Sequence, residues 1–211
     1  MMKELYAKFD KSKLANMERA LFGGRIFVIQ TESEADKAID YLSRFSVVGV
    51  DTETRPAFKK GVTNKVALLQ LSTEDTCFLF RLNRIGLPDC VKSLFQDEKV
   101  LKVGLSLKDD LSTLRHRGDF QSASFLDLQQ YVKEFGIQDM SLQKLYANVF
   151  GQKISKGQRL SNWEADVLTE GQKLYAATDA WACVVLYKEL KQLGESKDYR
   201  LIEYVENDNA I

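Results

Sequence analysis

Three places in the chain set acidic residues where a folded core would be expected. In "VVGVDTETRP" an apolar, β-favouring run ends on Asp51 and Glu53. Side chains two apart on a strand share a face, so these carboxylates point the same way. Like charges this close raise each other's pKa unless something positive lies between them, and a divalent cation would resolve the repulsion. A solvated strand end with Asp51 capping a turn is the plainer alternative. In "KVGLSLKDDLSTL" Asp109 and Asp110 fall in the first turn of a helix, where the macrodipole alone stabilises acids. Asp110 stands four before Leu114 and is expected to share its inward face, leaving Asp109 to solvent. In "LYAATDAWACVVLYKEL" a helical stripe carries Tyr175, Asp179, Ala182, Cys183, Leu186 and Leu190. All but Asp179 suit a core, and a lone buried carboxylate costs on the order of several kcal/mol. Asp179 should therefore be paired with Tyr175, protonated, or on a metal. Together, four carboxylates and a phenol from one strand and two helices could converge at a sheet edge.

The composition narrows the chemistry. The chain has 211 residues, enough for one large domain, with 30 basic and 30 acidic residues and a formal net charge of zero. No global field draws nucleic acid, so such binding needs a local patch. The single histidine, His116, excludes His-rich zinc sites and most His-based triads. A metal site here would be built from carboxylates, which select hard cations such as Mg²⁺ or Mn²⁺. Cys77, Cys90 and Cys183 form no CxxC pair and read as reduced thiols of a cytoplasmic protein. The opening "MMKELYAKFD" has no long apolar run, so neither secretion nor a membrane partner is expected.

The elements that must position these residues follow from periodicity and punctuation. "RIFVIQ", "VVGVDTE", "KVALLQLST", "TCFLFRL", "KVLKVGLS" and the start of "SFLDLQQYVKEFG" read as strands. The third and fourth form a hairpin turning at Thr73–Asp75. Helices are expected after an N-cap at Thr31 or Ser33, after Pro88, over "LKDDLSTLRHRG", in the remainder of "SFLDLQQYVKEFG", over "SLQKLYANVFG", and over a long final stretch capped by Gly194. Residues 1–24 read as an N-terminal extension, helical from Ser12 to Leu21. Residues 25–194 read as the main domain and 195–211 as a polar tail. A hairpin followed by strand–helix alternation predicts an α/β fold, a mixed sheet with helices on both faces.

At this point the motifs resemble a known family. "DTE", "VGLSLKDDLSTL" and "YAATDA" are similar to the three motifs of the DEDD 3′–5′ exonucleases, in the ribonuclease D-like branch and nearest the Werner-type exonuclease domain. The likeness runs from about Gly24 to Gly194. It implies a ribonuclease H-like fold with a central mixed five-stranded sheet, and two divalent cations, Mg²⁺ or Mn²⁺. It implies Asp51, Glu53, Asp110 and Asp179 as ligands, with Asp51 bridging, Glu53 and Asp179 on the nucleophile side and Asp110 at the second ion. Tyr175 stands four before Asp179, as in the tyrosine subtype, and would orient the attacking water. The implied activity is hydrolysis of phosphodiester bonds from a free 3′ end, with DNA favoured over RNA and nucleoside 5′-monophosphates released.

Two basic stretches with aromatics suit strand binding. One carries Arg55, Lys59, Lys60 and Lys65 around Phe58; the other carries Lys153, Lys156 and Arg159 with Trp163. Lys59, Lys60, Lys65, Arg159 and Trp163 are the candidate substrate contacts, with solvated loops and a packed indole as the alternatives. No helicase-like or HRDC-like segment accompanies the motifs, so modest, salt-sensitive affinity and low processivity are expected. Two other readings stay open. One is a catalytically silent nucleic-acid-binding module. The other is a haloacid dehalogenase-type phosphatase, in which Asp51 would be the nucleophile and Glu53 the acid.

Overall fold

In the computed structural model, residues 2–59, 61 and 63–203 are described. In chain order the elements are β1 (Lys3–Tyr6), a 3-10 turn (Lys11–Asn16), β2 (Arg25–Ile29), α1 (Glu32–Leu42), β3 (Val47–Thr54), β4 (Val66–Ser72), β5 (Thr76–Phe80), α2 (Leu82–Ile85), α3 (Asp89–Gln96), β6 (Leu101–Gly104), α4 (Leu107–Arg115), β7 (Phe125–Asp127), α5 (Leu128–Tyr131), a second 3-10 turn (Val132–Phe135), α6 (Leu142–Phe150), α7 (Glu170–Ser196) and β8 (Tyr199–Ile202).

Six strands form one mixed sheet in the order β2-β5-β4-β3-β6-β7. β3, β4 and β5 run as an antiparallel meander; β6 lies parallel to β3, β7 to β6, and β2 to β5. The α/β architecture with helices on both faces is as read from the sequence. The count is six rather than the five that the family resemblance implied, because both the edge run at Arg25 and the short run at Phe125 pair into the ladder.

Alternation along β3 sorts its side chains. Val48 and Val50 join a buried cluster with Leu69 and Leu71 of β4, Ala38 and Leu42 of α1, and Val91 and Phe95 of α3. Gly49, Asp51 and Glu53 take the opposite face, which α7 covers. That helix meets β3 without an intervening side chain: a Cβ on Gly49 would lie 1.9 Å from the Ala180 carbonyl oxygen. The glycine therefore lets the helix lie against the strand and brings Asp179 over Asp51. α7 starts with a capping box, Thr169 accepting from the Gln172 amide and Gln172 reaching back.

Two terminal expectations are corrected. The N-terminal extension is a strand and a short 3-10 turn instead of a helix from Ser12 to Leu21. β1 pairs in parallel with β8 of the polar tail, and Leu5 is fully buried between them and the body. The Asn148 side chain also holds both the amide and the carbonyl of Tyr6, at 2.8 and 2.7 Å. Over the expected helix itself, the Lys153 ammonium donates to the Leu14 and Ala15 carbonyls at 2.8 and 2.7 Å and the Ala20 amide donates to the Lys153 carbonyl at 3.0 Å, so long-range bonds stand in place of a local helical ladder. The last helix runs past Gly194 to Ser196 and ends at Lys197, which has a left-handed φ of 58°. Gly194 lies inside the helix against Phe135, where a Cβ would come within 3.3 Å of the ring.

Candidate active site

Asp51, Glu53 and Asp179 meet where β3 passes under α7. Each offers a carboxylate oxygen, and the three oxygens lie within 4.8 Å of one another. Glu53 and Asp179 are buried, while Asp51 keeps a partial path to solvent. Burial raises all three carboxyls, and for Asp51 and Glu53 their acidic neighbours raise them further. Glu53 is pushed up to about 9, chiefly by burial and then by Asp179 and Asp110, against the pull of Arg159. Asp51 stands well above the usual carboxylate range for the same reasons. Asp179 is pushed up to about 7 by burial, with Tyr175 and Lys156 acting the other way. One of its oxygens, Oδ1, is buried without a hydrogen-bond partner.

Asp110 comes from α4; it lies outside the group of three oxygens but near enough for its charge to raise Asp51 and Glu53. The β6–α4 junction turns at Ser106, which has a left-handed φ of 60°. The first amides of α4, on Ser106 and Leu107, donate to the Asp127 carboxylate at 3.2 and 3.0 Å. That cap from β7 fixes the helix start and delivers Asp110 one turn later. There Thr52 donates its hydroxyl to Asp110 Oδ1 at 2.6 Å. Burial raises Asp110 to about 6 and the Thr52 bond lowers it. Asp109 is exposed, as its register predicts.

Tyr175 lies one turn before Asp179 on α7. Its phenol is held far above its ordinary range by burial, by Asp179 and by Glu53. Behind it stands Trp163, ring centroids 6.0 Å apart. This corrects the expected role of that indole. Trp163 is 0% exposed, packed with Phe22, Leu68 and Ala177, and has no face left for a base. A tryptophan among basic residues reads as a stacking platform only until the space beneath α7 is known to need filling.

The other expected substrate contacts divide. Arg159 is exposed beside the acids, and it lowers Glu53. Lys156 lines a cavity of about 240 Å³ with Arg159, Tyr175 and Asp179. Lys59 and Lys65 are exposed on the β3–β4 connection, with Phe58 87% exposed among them. The connection is tied back by an Arg55–Glu164 ion pair of 3.3 Å, and neither Lys59 nor Lys65 bonds the carboxylates. Lys60 lies outside the described residues. Thr52 and Asp127 were not singled out by sequence. Neither carried a sequence signal of its own, since each acts through a partner distant in the chain.

The donor set fits a hard cation: oxygen ligands only, one of them orphaned, all shifted toward protonation by burial and, for Asp51 and Glu53, by their acidic neighbours. Residues 26–195 match a family model described as 3′-5′ exonuclease. The chain belongs to the 3′-5′ exonuclease family. It is 35% identical over 161 residues to the bifunctional 3′-5′ exonuclease/ATP-dependent helicase WRN of Mus musculus, covering 74% of this chain and 12% of that protein. It is 32% identical over 209 residues to a 3′-5′ exonuclease of Arabidopsis thaliana, covering 90% of this chain and 73% of the relative. The chain thus spans only a small part of the first relative and about three quarters of the second.

Among solved structures, the Aedes aegypti Nibbler EXO domain superposes with a TM-score of 0.73 at 22% identity, over 90% of this chain and 93% of that one. Escherichia coli RNase D gives 0.73 at 20% identity, over 82% and 46%. These likenesses establish the ribonuclease H-like exonuclease fold. Exonucleases of this family are divalent-metal-dependent hydrolases of nucleic acid, and this chain carries a cluster of three carboxylates.

Proposed function

We propose that this protein removes nucleotides from the free 3′ end of a nucleic-acid strand, DNA in preference to RNA, and releases nucleoside 5′-monophosphates. The observation that carries the reading is the meeting of Asp51, Glu53 and Asp179 within 4.8 Å, with Asp179 Oδ1 unpartnered. Asp51, Glu53 and Asp179 would hold one ion, Asp51 and Asp110 a second, either Mg²⁺ or Mn²⁺. When bound, two such ions acidify a water and neutralise charge on the scissile phosphate and the leaving oxygen.

The chain's own residues do the rest. Tyr175, held protonated by burial and by the neighbouring carboxylates, offers its hydroxyl to orient the attacking water. Thr52 holds one oxygen of Asp110 and leaves the other free. Lys156 and Arg159, at the mouth of the acid cluster, offset its charge toward an anionic strand. Preference for DNA draws support from likeness to DNA polymerase I of Aquifex aeolicus, 28% identical over 79% of this chain. The Trypanosoma brucei RNase D complex with RNA U12 is 19% identical.

The test is a panel of 5′-labelled oligonucleotides: single-stranded DNA, single-stranded RNA, and duplexes with recessed or overhanging 3′ ends, each with Mg²⁺, Mn²⁺ or EDTA. A ladder shortening from the 3′ end, fastest on DNA and absent in EDTA, is expected. Binding without shortening in either metal would favour the silent module instead. A phosphatase would leave every oligonucleotide at full length and hydrolyse p-nitrophenyl phosphate.

A further inference from the structure

Tyr175 separates two cavities. One, of about 240 Å³, contains Asp179, Lys156 and Arg159 and belongs to the catalytic cleft. The other, of about 380 Å³, lies beyond the Ile154–Ser155 wall that both share. It is lined by Arg19, Leu21, Gln158, Leu174 and Thr178 along with Tyr175. Among the described residues no acidic side chain lines it, and Arg19 is the one charged residue there. It cannot be a cation site, and its size falls in the range of small-molecule sites, roughly 300–1,000 Å³.

The wall that carries Arg19 lies outside the residues matched by the family model, which begin at 26. It is nonetheless fixed to the catalytic elements. The Ala20 amide donates to the Lys153 carbonyl at 3.0 Å and the Lys153 amide to that of Glu18 at 2.9 Å. The Phe22 amide donates to the Thr178 hydroxyl at 3.1 Å, one residue from Asp179. Between these anchors Arg19 is exposed, with no ion pair among the described residues, and Leu21 is 52% exposed. A free guanidinium beside exposed aliphatic surface is what a nucleotide unit needs: a partner for its phosphate and a dry face for its sugar and base.

We propose that the Arg19–Leu21 segment forms a second nucleotide subsite, which takes a unit of the substrate strand upstream of the residue being removed. Arg19 contacts its backbone phosphate, and Leu21 with Leu174 its apolar face. The inference rests on the exonuclease reading, since only a polymeric substrate reaches past Tyr175 into a second cavity.

Arg19→Glu and Leu21→Ser test it. Both side chains are exposed, so thermal unfolding should match wild type and confirm intact folding. Binding of a fluorescent single-stranded oligonucleotide is measured in EDTA, where no cleavage intervenes, across a salt series. Arg19→Glu is expected to weaken binding by about five-fold or more and to reduce the log–log salt slope by about 0.7, the share of one phosphate on a single strand. Leu21→Ser should weaken binding while leaving that slope alone. In turnover, both variants should raise KM far more than they lower kcat. Unchanged binding and KM in both variants would overturn the subsite while leaving the exonuclease reading intact. A fall in kcat at constant KM would also overturn it, showing that the segment acts by distorting Tyr175. A wild-type protein that neither binds nor shortens the oligonucleotide would overturn the exonuclease reading itself, and the subsite with it.

Discussion

Tyr175 and Trp163 are neighbours with opposite duties, and substitution separates them. Removing the phenolic oxygen in Tyr175→Phe leaves the carboxylates and the ring packing in place. Turnover should fall about 10²-fold or more, while the metal concentration giving half-maximal activity stays close to wild type. Unchanged turnover would remove Tyr175 from the mechanism. Trp163→Ala acts through stability instead. Emptying a fully buried indole site should cost about 3–5 kcal/mol, read as a drop in the denaturation midpoint. At this scale the sequence was readable where a residue type was out of place. Asp179 on an apolar stripe and Asp51 at the end of an apolar strand announced themselves by that mismatch. Thr52 bonding Asp110 and Asp127 capping α4 did not, because a threonine in a strand and an aspartate before a helix are unremarkable until their partners, 58 and 20 residues distant, are known. Trp163 misled for the converse reason: its chemistry suits base stacking, and only the three-dimensional space around it shows that it is spent on packing.

Elements set how closely those residues meet. The contact of α7 with β3 depends on Gly49, and Gly49→Ala places a methyl against the Ala180 carbonyl. Helix or strand must then move by an ångström or more. Overpacking of this kind costs about 1–3 kcal/mol. The larger expected effect is catalytic, since Asp179 moves away from Asp51. The variant should fold with a lowered Tm and lose most Mn²⁺-dependent activity; wild-type activity would show that the close approach is not what assembles the site. The position could not be picked out from the chain alone, where a glycine inside "VVGVD" reads as an interruption of the strand. The six strand segments and the Thr73–Asp75 turn were legible because each is apolar, β-rich and bounded by turn residues, and the Thr73 amide does bond the Thr76 carbonyl at 2.8 Å. The β1–β8 pairing was not, because each strand is four residues long and its partner stands at the other end of the chain.

The whole molecule feels its active site through protons. In the unfolded chain aspartates titrate near 3.9 and glutamates near 4.3. In the folded, metal-free protein Asp110, Asp179 and Glu53 are raised to about 6, 7 and 9, and Asp51 well above its usual range. Between about pH 4 and 9 the folded state therefore holds protons that the unfolded state has released, and stability must fall as pH rises through that window. Lys102 works in the opposite sense at the top of the range. Burial lowers its ammonium to about 8, so its contribution to stability grows as pH rises above that value. In EDTA, Tm should decline from pH 5 to pH 8, before Lys102 contributes. Millimolar Mg²⁺ or Mn²⁺, on the proposed assignment, would neutralise the cluster in the folded state alone, so it should flatten the decline, and the increment in Tm on adding metal should grow with pH. Asp179→Asn removes one of the titrating charges, so it should raise the metal-free Tm at pH 8 while diminishing the response to Mn²⁺. A metal-free Tm that is flat or rising from pH 5 to pH 8 would mean that the carboxylates are relieved by something other than a bound cation, and the assignment of Asp51, Glu53 and Asp179 as its ligands would fall.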